Sequence, residues 1–436
     1  MSGDGGETGA SGASGARLHA LAARLFPIPR SITGEGLRRS LAILGERIPL
    51  ELREVPSGTP AFDWRVPPEW RLSGATLTAP DGRRIVDAGE SSLQLVGYSA
   101  PFRGSVELDE LRAHLHTLPD RPDLIPYRTS YYKEQWGFCL PHRVAAALPP
   151  GRYEVEIDTE LFAGSLTYGE CLIAGESSEE MLFSTHCCHP EMANDNLSGM
   201  VVAAALAERL AARPRRRLSY RFLFLPGTIG AIAWLAANRE RLGAIRQGLT
   251  LAGLGAPGDF HYKKTRHGDT PIDRELPRAL AGRSERLRVE AFVPFGYDER
   301  QYNSPGIDLP VGSFTRTPYG RYPEYHTSAD SLEFIRPETL AGSLAALEAV
   351  VDHLEARESY RNLAPFGEPQ LGRRGLYRAI GGDDAGRERE LALLWVLNQS
   401  DGSHSLEDIA ERSGIALDRL REAADSLLAA KLLAPA

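Results

Sequence analysis

Apolar residues recur at helical spacing near the start of the chain, in RLHALAARLFPI and again in GEGLRRSLAILGERI, and Pro27 and Pro29 separate the two predicted helices. From about Glu51 to Pro150 the pattern changes. Short β-type stretches (FDWRV, ATLTA, SLQLVGYSA) lie between Pro and Gly turns, and one helical segment, SVELDELRAHLHTL, interrupts them. This predicts a small β-rich module. From Tyr153 strands and helices alternate: YEVEIDTEL and GECLIAG read as strands, EEMLFSTHCCHP as a buried strand ending at histidines, and NLSGMVVAAALAERLAAR as a long Ala-rich helix. YRFLFLPG, TIGAIAWLAANRERL and GLTLAGLGAPG then continue as strand, helix and strand.

Such alternation predicts an α/β fold, a mostly parallel sheet flanked by helices, with ligands at the carboxyl ends of the strands. His186, Pro226 and Gly255 all fall at such ends, so the chemistry is expected there. In the closing segment Ser405 can cap a helix with Asp408 three residues on, and Gly414 can end it. That spacing resembles a winged-helix module. The chain thus divides into a disordered Gly/Ser-rich tail (1–16), an α/β domain (17–50 and 151–365), an inserted β-rich domain (51–150) and a winged-helix-like domain (385–436).

With 42% hydrophobic and 25% charged residues, the composition is that of a soluble globular protein. A net charge of −8 argues against broad nucleic-acid or anionic-membrane binding, which needs surplus Lys and Arg. Arg412, Arg419 and Arg421 in the final module are offset by acids, so nucleic acid is not an expected partner. The four cysteines, Cys139, Cys171, Cys187 and Cys188, make no disulfide framework. The first residues lack the basic start and apolar core of a signal peptide, and no apolar run approaches a membrane span. A cytoplasmic protein is expected, with a homo-oligomer left open.

The stretch THCCHPEMANDNLSG packs two histidines, two cysteines and an aspartate into fifteen residues. A structural zinc site usually takes two separated Cys or His pairs, and Cys187-Cys188 has no second pair; they read as small buried hydrophobes. A histidine at a strand end, a loop, then an aspartate just before a helix is instead how co-catalytic zinc sites gather ligands. The later PEYHTSADSL offers His326 as a partner.

Together, THCCHPEMANDNLSG, FLPGTIG, YDERQYNSPGIDLPV and RTPYGRYPEYHTSADSLEFI resemble the bacterial aminopeptidase-like proteins related to di-zinc aminopeptidases. Such proteins occur in polysaccharide and natural-product gene clusters. The family carries an inserted β-rich domain and a C-terminal winged helix, and the likeness covers nearly the whole chain from about Leu25. The resemblance implies that His186 holds one metal, Asp195 bridges and His326 serves a second. It also implies a Glu-Glu pair after the next strand, a general base followed by a ligand, where this chain has Gly227-Thr228. Close relatives resemble a PETIG pattern with a glutamate at that first position. A further acidic ligand is implied where Gly255 and Ala256 stand.

With those carboxylates absent, at most one zinc ion is expected. His189 is the nearest replacement ligand, and Asp298 and Glu299 of the YDERQYN loop are the candidate catalytic carboxylates. Arg300 or Arg316 can hold a substrate carboxylate bidentately, with Tyr302 and Tyr319 as aromatic surface, or these arginines can form ion pairs that stabilise loops. Three readings stand. One is a metal-dependent hydrolase acting on a peptide, amide or related bond of a small or short peptide-like substrate. Another is a repurposed pocket doing amide formation or group transfer. The third is a non-catalytic binding protein.

Overall fold

The structure, a computed structural model, describes residues 5–377 and 384–436. It forms two compact units, residues 1–350 and 351–436. Residues 1–4 of the expected disordered tail lie outside the described residues; from Gly5 the rest of that stretch belongs to helix α1 (Gly5–Leu25). The small residues there let the backbone come close: a Cβ on Gly15 would stand 2.1 Å from the Pro337 carbonyl oxygen.

The first unit is built on an eight-stranded sheet: β1 (Glu51–Pro56), β2 (Ser165–Ile173), β3 (Glu180–His186), β4 (Ser219–Leu225), β5 (Ile245–Leu251), β6 (Phe260–Lys263), β7 (Leu287–Glu290) and β8 (Val311–Thr315). Their order is β1-β2-β4-β3-β5-β8-β6-β7. The central four, β4, β3, β5 and β8, run parallel, while β1 and β2 at one side pair antiparallel. Every residue of β3 and β4 is buried, as in a sheet covered on both faces. Helices α2 (Glu35–Gly45), α3 (Gly199–Ala211), α4 (Ile229–Ala237) and α5 (Pro271–Ala279) accompany the strands.

The inserted module is a four-stranded antiparallel sheet of segments Arg84–Asp87, Glu69–Thr78, Arg152–Phe162 and Phe102–Glu107, in that order. Two expectations about the division are revised by strand pairing. β1, expected in the module, is an edge strand of the large sheet. Arg152–Phe162, expected in the α/β domain, belongs to the small sheet, where its burial alternates residue by residue. Alternation identifies a half-buried strand but not the sheet it joins.

The second unit has a three-stranded sheet (Ser359–Asn362, Asp401–Ser405, Leu433–Pro435) and helices Asp384–Gln399, Leu406–Ser413 and Leu417–Ala429. Ser405 caps its helix as expected: its Oγ accepts from Asp408 N at 3.2 Å, and Gly414 closes the helix at φ 73°. Among the described residues no helix is long and apolar enough to cross a membrane.

Candidate metal centre

β3 delivers His186, buried, to the carboxyl end of the parallel strands. The chain then loops back through His189 and Glu191 before Asp195, whose φ and ψ (−109°, 80°) are non-helical just ahead of α3. That break turns the Asp195 carboxylate back towards the strand it came from. Its Oδ1 lies 2.8 Å from His186 Nε2 and its Oδ2 lies 3.0 Å from Nε2 of His326, which arrives from the loop after β8. His186, His189 and Asp195 each bring a donor atom within 4.8 Å of the others. The sequence-predicted metal residues therefore converge.

A supporting set holds them. Asp330 accepts the backbone N–H groups of Asn194 and Asp195 at 2.5 and 2.9 Å. Asn196 Nδ2 donates to Thr185 Oγ1 and to the carbonyls of His186 and Leu251. Tyr297 donates its hydroxyl to Asp195 Oδ2 at 3.0 Å and stacks its ring on His186, centroids 4.4 Å apart. The Tyr325 hydroxyl pairs with that of Tyr297, and its ring lies on His326. Arg30, fully buried, donates through Nε to the His189 carbonyl. None of these was singled out from sequence, because a residue that grips a backbone or a ring from behind has no spacing signature.

Electrostatics suit a cation. Burial works against the Asp195 carboxylate, but the hydrogen bonds from His186 and His326 hold its pKa well below the ordinary value. Burial pushes His189 well below the usual imidazole range, so it is neutral and its ring nitrogen can ligate. The thiols of Cys187 and Cys188 are raised by burial, the latter to about 12. They stay protonated, as buried hydrophobes do, and cannot act as thiolate ligands. Asp298 is pushed up to about 7, burial being opposed by His186 and reinforced by Glu299.

The other predicted residues separate. Asp298 is buried beside His186, and its Oδ1 has no partner. Glu299 is buried and tied to Lys263 at 2.6 Å. Tyr319 lines a cavity of about 310 Å³ that opens beside Asp195. Arg300 does not line that cavity, and its Nε is buried without a partner. Two expectations are corrected. Arg316 is not a substrate clamp: it donates to Ser343 Oγ, the Gly258 carbonyl and Glu285, and its guanidinium lies 4.0 Å from the Phe260 ring centre. Tyr302 is not binding surface either, since it is fully buried with its hydroxyl 2.8 Å from Ser184 Oγ. At the end of β5 glycine has a packing reason, because a Cβ on Gly255 would meet Ile335 and Ser198 inside 3.0 Å.

The cavity beside Asp195 is walled by Phe295, Tyr297, Tyr319, Tyr322 and Tyr325 and floored by Gly253, Ser313 and Thr315. At its edge Glu290 binds both Arg321 (2.7 and 2.8 Å) and His261 (2.8 Å), and Lys263 is engaged by Glu299 and the Phe295 carbonyl. These charges neutralise one another and leave a largely aromatic recess for one small group.

Comparisons agree with this architecture. Residues 19–357 match the family described as a domain of unknown function, DUF4910, and residues 358–435 match a winged helix-turn-helix family. A Clostridium acetobutylicum protein named for polysaccharide biosynthesis and an aminopeptidase-like domain is 46% identical over 416 residues, 95% of each chain. A crystal structure from the same organism, of a protein named as a peptidase, superposes with a TM-score of 0.81 at 44% identity, covering 98% of this chain and 97% of that one. The zinc aminopeptidase of Bacillus subtilis shares the fold at 14% identity, TM-score 0.58, covering 78% of this chain and 95% of its own. The chain belongs to the DUF4910 family, an aminopeptidase-like α/β fold followed by a winged helix.

Proposed function

We propose that this protein is a zinc-dependent hydrolase that cleaves a peptide, amide or related bond of a small molecule during polysaccharide or natural-product biosynthesis. The observation that carries this reading is the convergence of His186, His189 and Asp195 on one point. Two imidazoles and a carboxylate are donor types of a catalytic zinc site, and these three residues would hold the ion. Zinc held there would supply Lewis-acid polarisation of the scissile carbonyl and would lower the pKa of water towards neutrality.

The chain's own residues do the rest. Asp195 keeps its charge under burial, and its two oxygens face Nε2 of His186 and of His326, so that these side chains turn their donor atoms towards one place. Tyr297 and Tyr325 lock the imidazole planes by stacking, which preserves the direction of their nitrogens. The aromatic recess seats the group next to the scissile bond and excludes water from it. The naming of the Clostridium acetobutylicum relative supports the biosynthetic setting.

The test is elemental analysis of protein purified without chelator or histidine tag, beside a His186→Ala, His326→Ala variant, followed by hydrolysis of aminoacyl p-nitroanilides. One zinc per chain, lost in the variant, is the expected result. No zinc in either, even after zinc is added back, would sink the metallohydrolase reading. The second reading, a repurposed pocket, would then take its place; the observation that favours it is Gly227 where the peptidase pattern has a glutamate.

A further inference from the structure

Gly227, at the end of β4, lacks the carboxylate that the aminopeptidase pattern puts there, but another carboxylate stands over the same place. A Cβ on Gly227 would lie 3.0 Å from the His186 Cβ and 3.8 Å from Asp298 Oδ1. Asp298 is 2% exposed, and that oxygen has no hydrogen-bond partner. A buried, unpaired carboxylate oxygen is costly and needs a reason.

Its surroundings supply no structural one. Asp298 precedes the short helix Glu299–Tyr302, where an aspartate commonly caps with its side chain; here the side chain makes no capping bond. The preceding residue, Tyr297, is anchored to His186 by stacking and to Asp195 by its hydroxyl. The following helix is pinned by Tyr302 to Ser184 of β3. Asp298 is therefore held from both sides close to His186. The other nearby acids are placed differently: Glu191 binds Ser91 and Ser92, Asp330 accepts backbone N–H groups, and Glu299, whose Oε2 is also buried without a partner, is held away by Lys263 through Oε1.

We infer that Asp298 is the general base of this site, the carboxylate having moved from the strand end to the loop before Glu299. This rests on the metallohydrolase reading. Asp298 takes a proton from the attacking water as the water oxygen bonds to the carbonyl carbon. It returns that proton to the departing nitrogen as the C–N bond breaks, giving one acid and one amine per water consumed. A side chain at 227 would crowd His186 and approach this carboxylate, which glycine does not.

The experiment measures zinc content and acetohydroxamate affinity of the zinc-loaded full chain, because a bound hydroxamate gives up its proton to a carboxylate base beside the metal. Wild type, Asp298→Asn, Asp298→Ser and the exchange variant Asp298→Ala, Gly227→Glu are compared. All four should hold equal zinc. Both single variants should bind acetohydroxamate at least tenfold more weakly, and the exchange variant should recover most of that loss. Unchanged affinity in the single variants, no acetohydroxamate binding by zinc-loaded wild type, or loss of zinc with Asp298 would each overturn the assignment and leave the metallohydrolase reading standing. A wild-type chain that takes up no zinc would remove both.

Discussion

Asp330 holds Asp195 by its backbone, not its side chain: Oδ2 of the buried Asp330 accepts the Asp195 N–H at 2.9 Å while Oδ1 accepts that of Asn194. Both oxygens are needed, because the two amides come from successive residues. Asp330→Asn replaces one acceptor with an N–H₂ that faces a donor. We expect zinc affinity to fall about 10- to 100-fold, as for other residues that orient metal ligands. Competition against a chromogenic chelator would measure it, and an unchanged affinity would rule out this orienting role.

Metal removal should be visible in stability. A ligand that binds only the folded chain adds about 2.7 kcal/mol at a hundredfold excess over its dissociation constant. Chelator-treated protein should therefore melt at lower temperature and recover on zinc addition, whereas Asp195→Ala should show no zinc-dependent shift. Calorimetry with and without zinc decides.

Arg316 lies inside the fold, so its loss should cost stability and not substrate binding. Arg316→Ala takes the donor from the Gly258 carbonyl and from Ser343 Oγ, which keeps only its own donation to the Leu254 carbonyl, and removes the cover over Phe260. A loss of roughly 1–3 kcal/mol is expected for unsatisfied buried groups. Urea unfolding would read it. A rise in KM with unchanged stability would instead restore Arg316 as a substrate contact.

Asp273 should confer an acid-sensitive part of stability. Burial raises its pKa, but hydrogen bonds from Thr265 and Thr270 outweigh burial and hold it below the ordinary value. A depressed folded-state pKa means the contribution is whole above about 3.9 and fades as pH falls from there towards the folded value. Asp273→Asn should cost about 1–3 kcal/mol near neutrality. The difference from wild type should shrink below pH 4; a gap that is constant with pH would refute the charge argument.

Much of this was legible from residue pattern. The buried run MLFSTH announces a central strand, and a histidine at its end, followed by an aspartate before an Ala-rich helix, marks the candidate metal loop. What pattern cannot supply is direction around a short element. Tyr302 sits three residues after Glu299 in a four-residue helix, yet its ring turns down onto Ser184. Arg316 leaves β8 towards Phe260, away from the cavity that Tyr319, three residues later, does line. Asp298 was legible as a carboxylate near the site. That it fills the place of residue 227 is a distance across two loops, which no spacing encodes.

The inserted module reaches both loops that carry the metal donors. Ser91 and Ser92 hold Glu191, two residues beyond His189, at 2.6–2.7 Å, and Tyr127 N donates to the His326 carbonyl at 2.8 Å. The Ser328 N–H donates to the Ile125 carbonyl beside it. Loop 189–191 and loop 326–328 are far apart in sequence, and two non-strand segments of the inserted module, 91–92 and 125–127, staple both. A module grafted in from a relative must therefore bring its own matching edges at 91–92 and 125–127. A substitution that breaks either contact is therefore felt at a loop bearing a candidate metal donor, although the module itself supplies none of His186, His189 and Asp195.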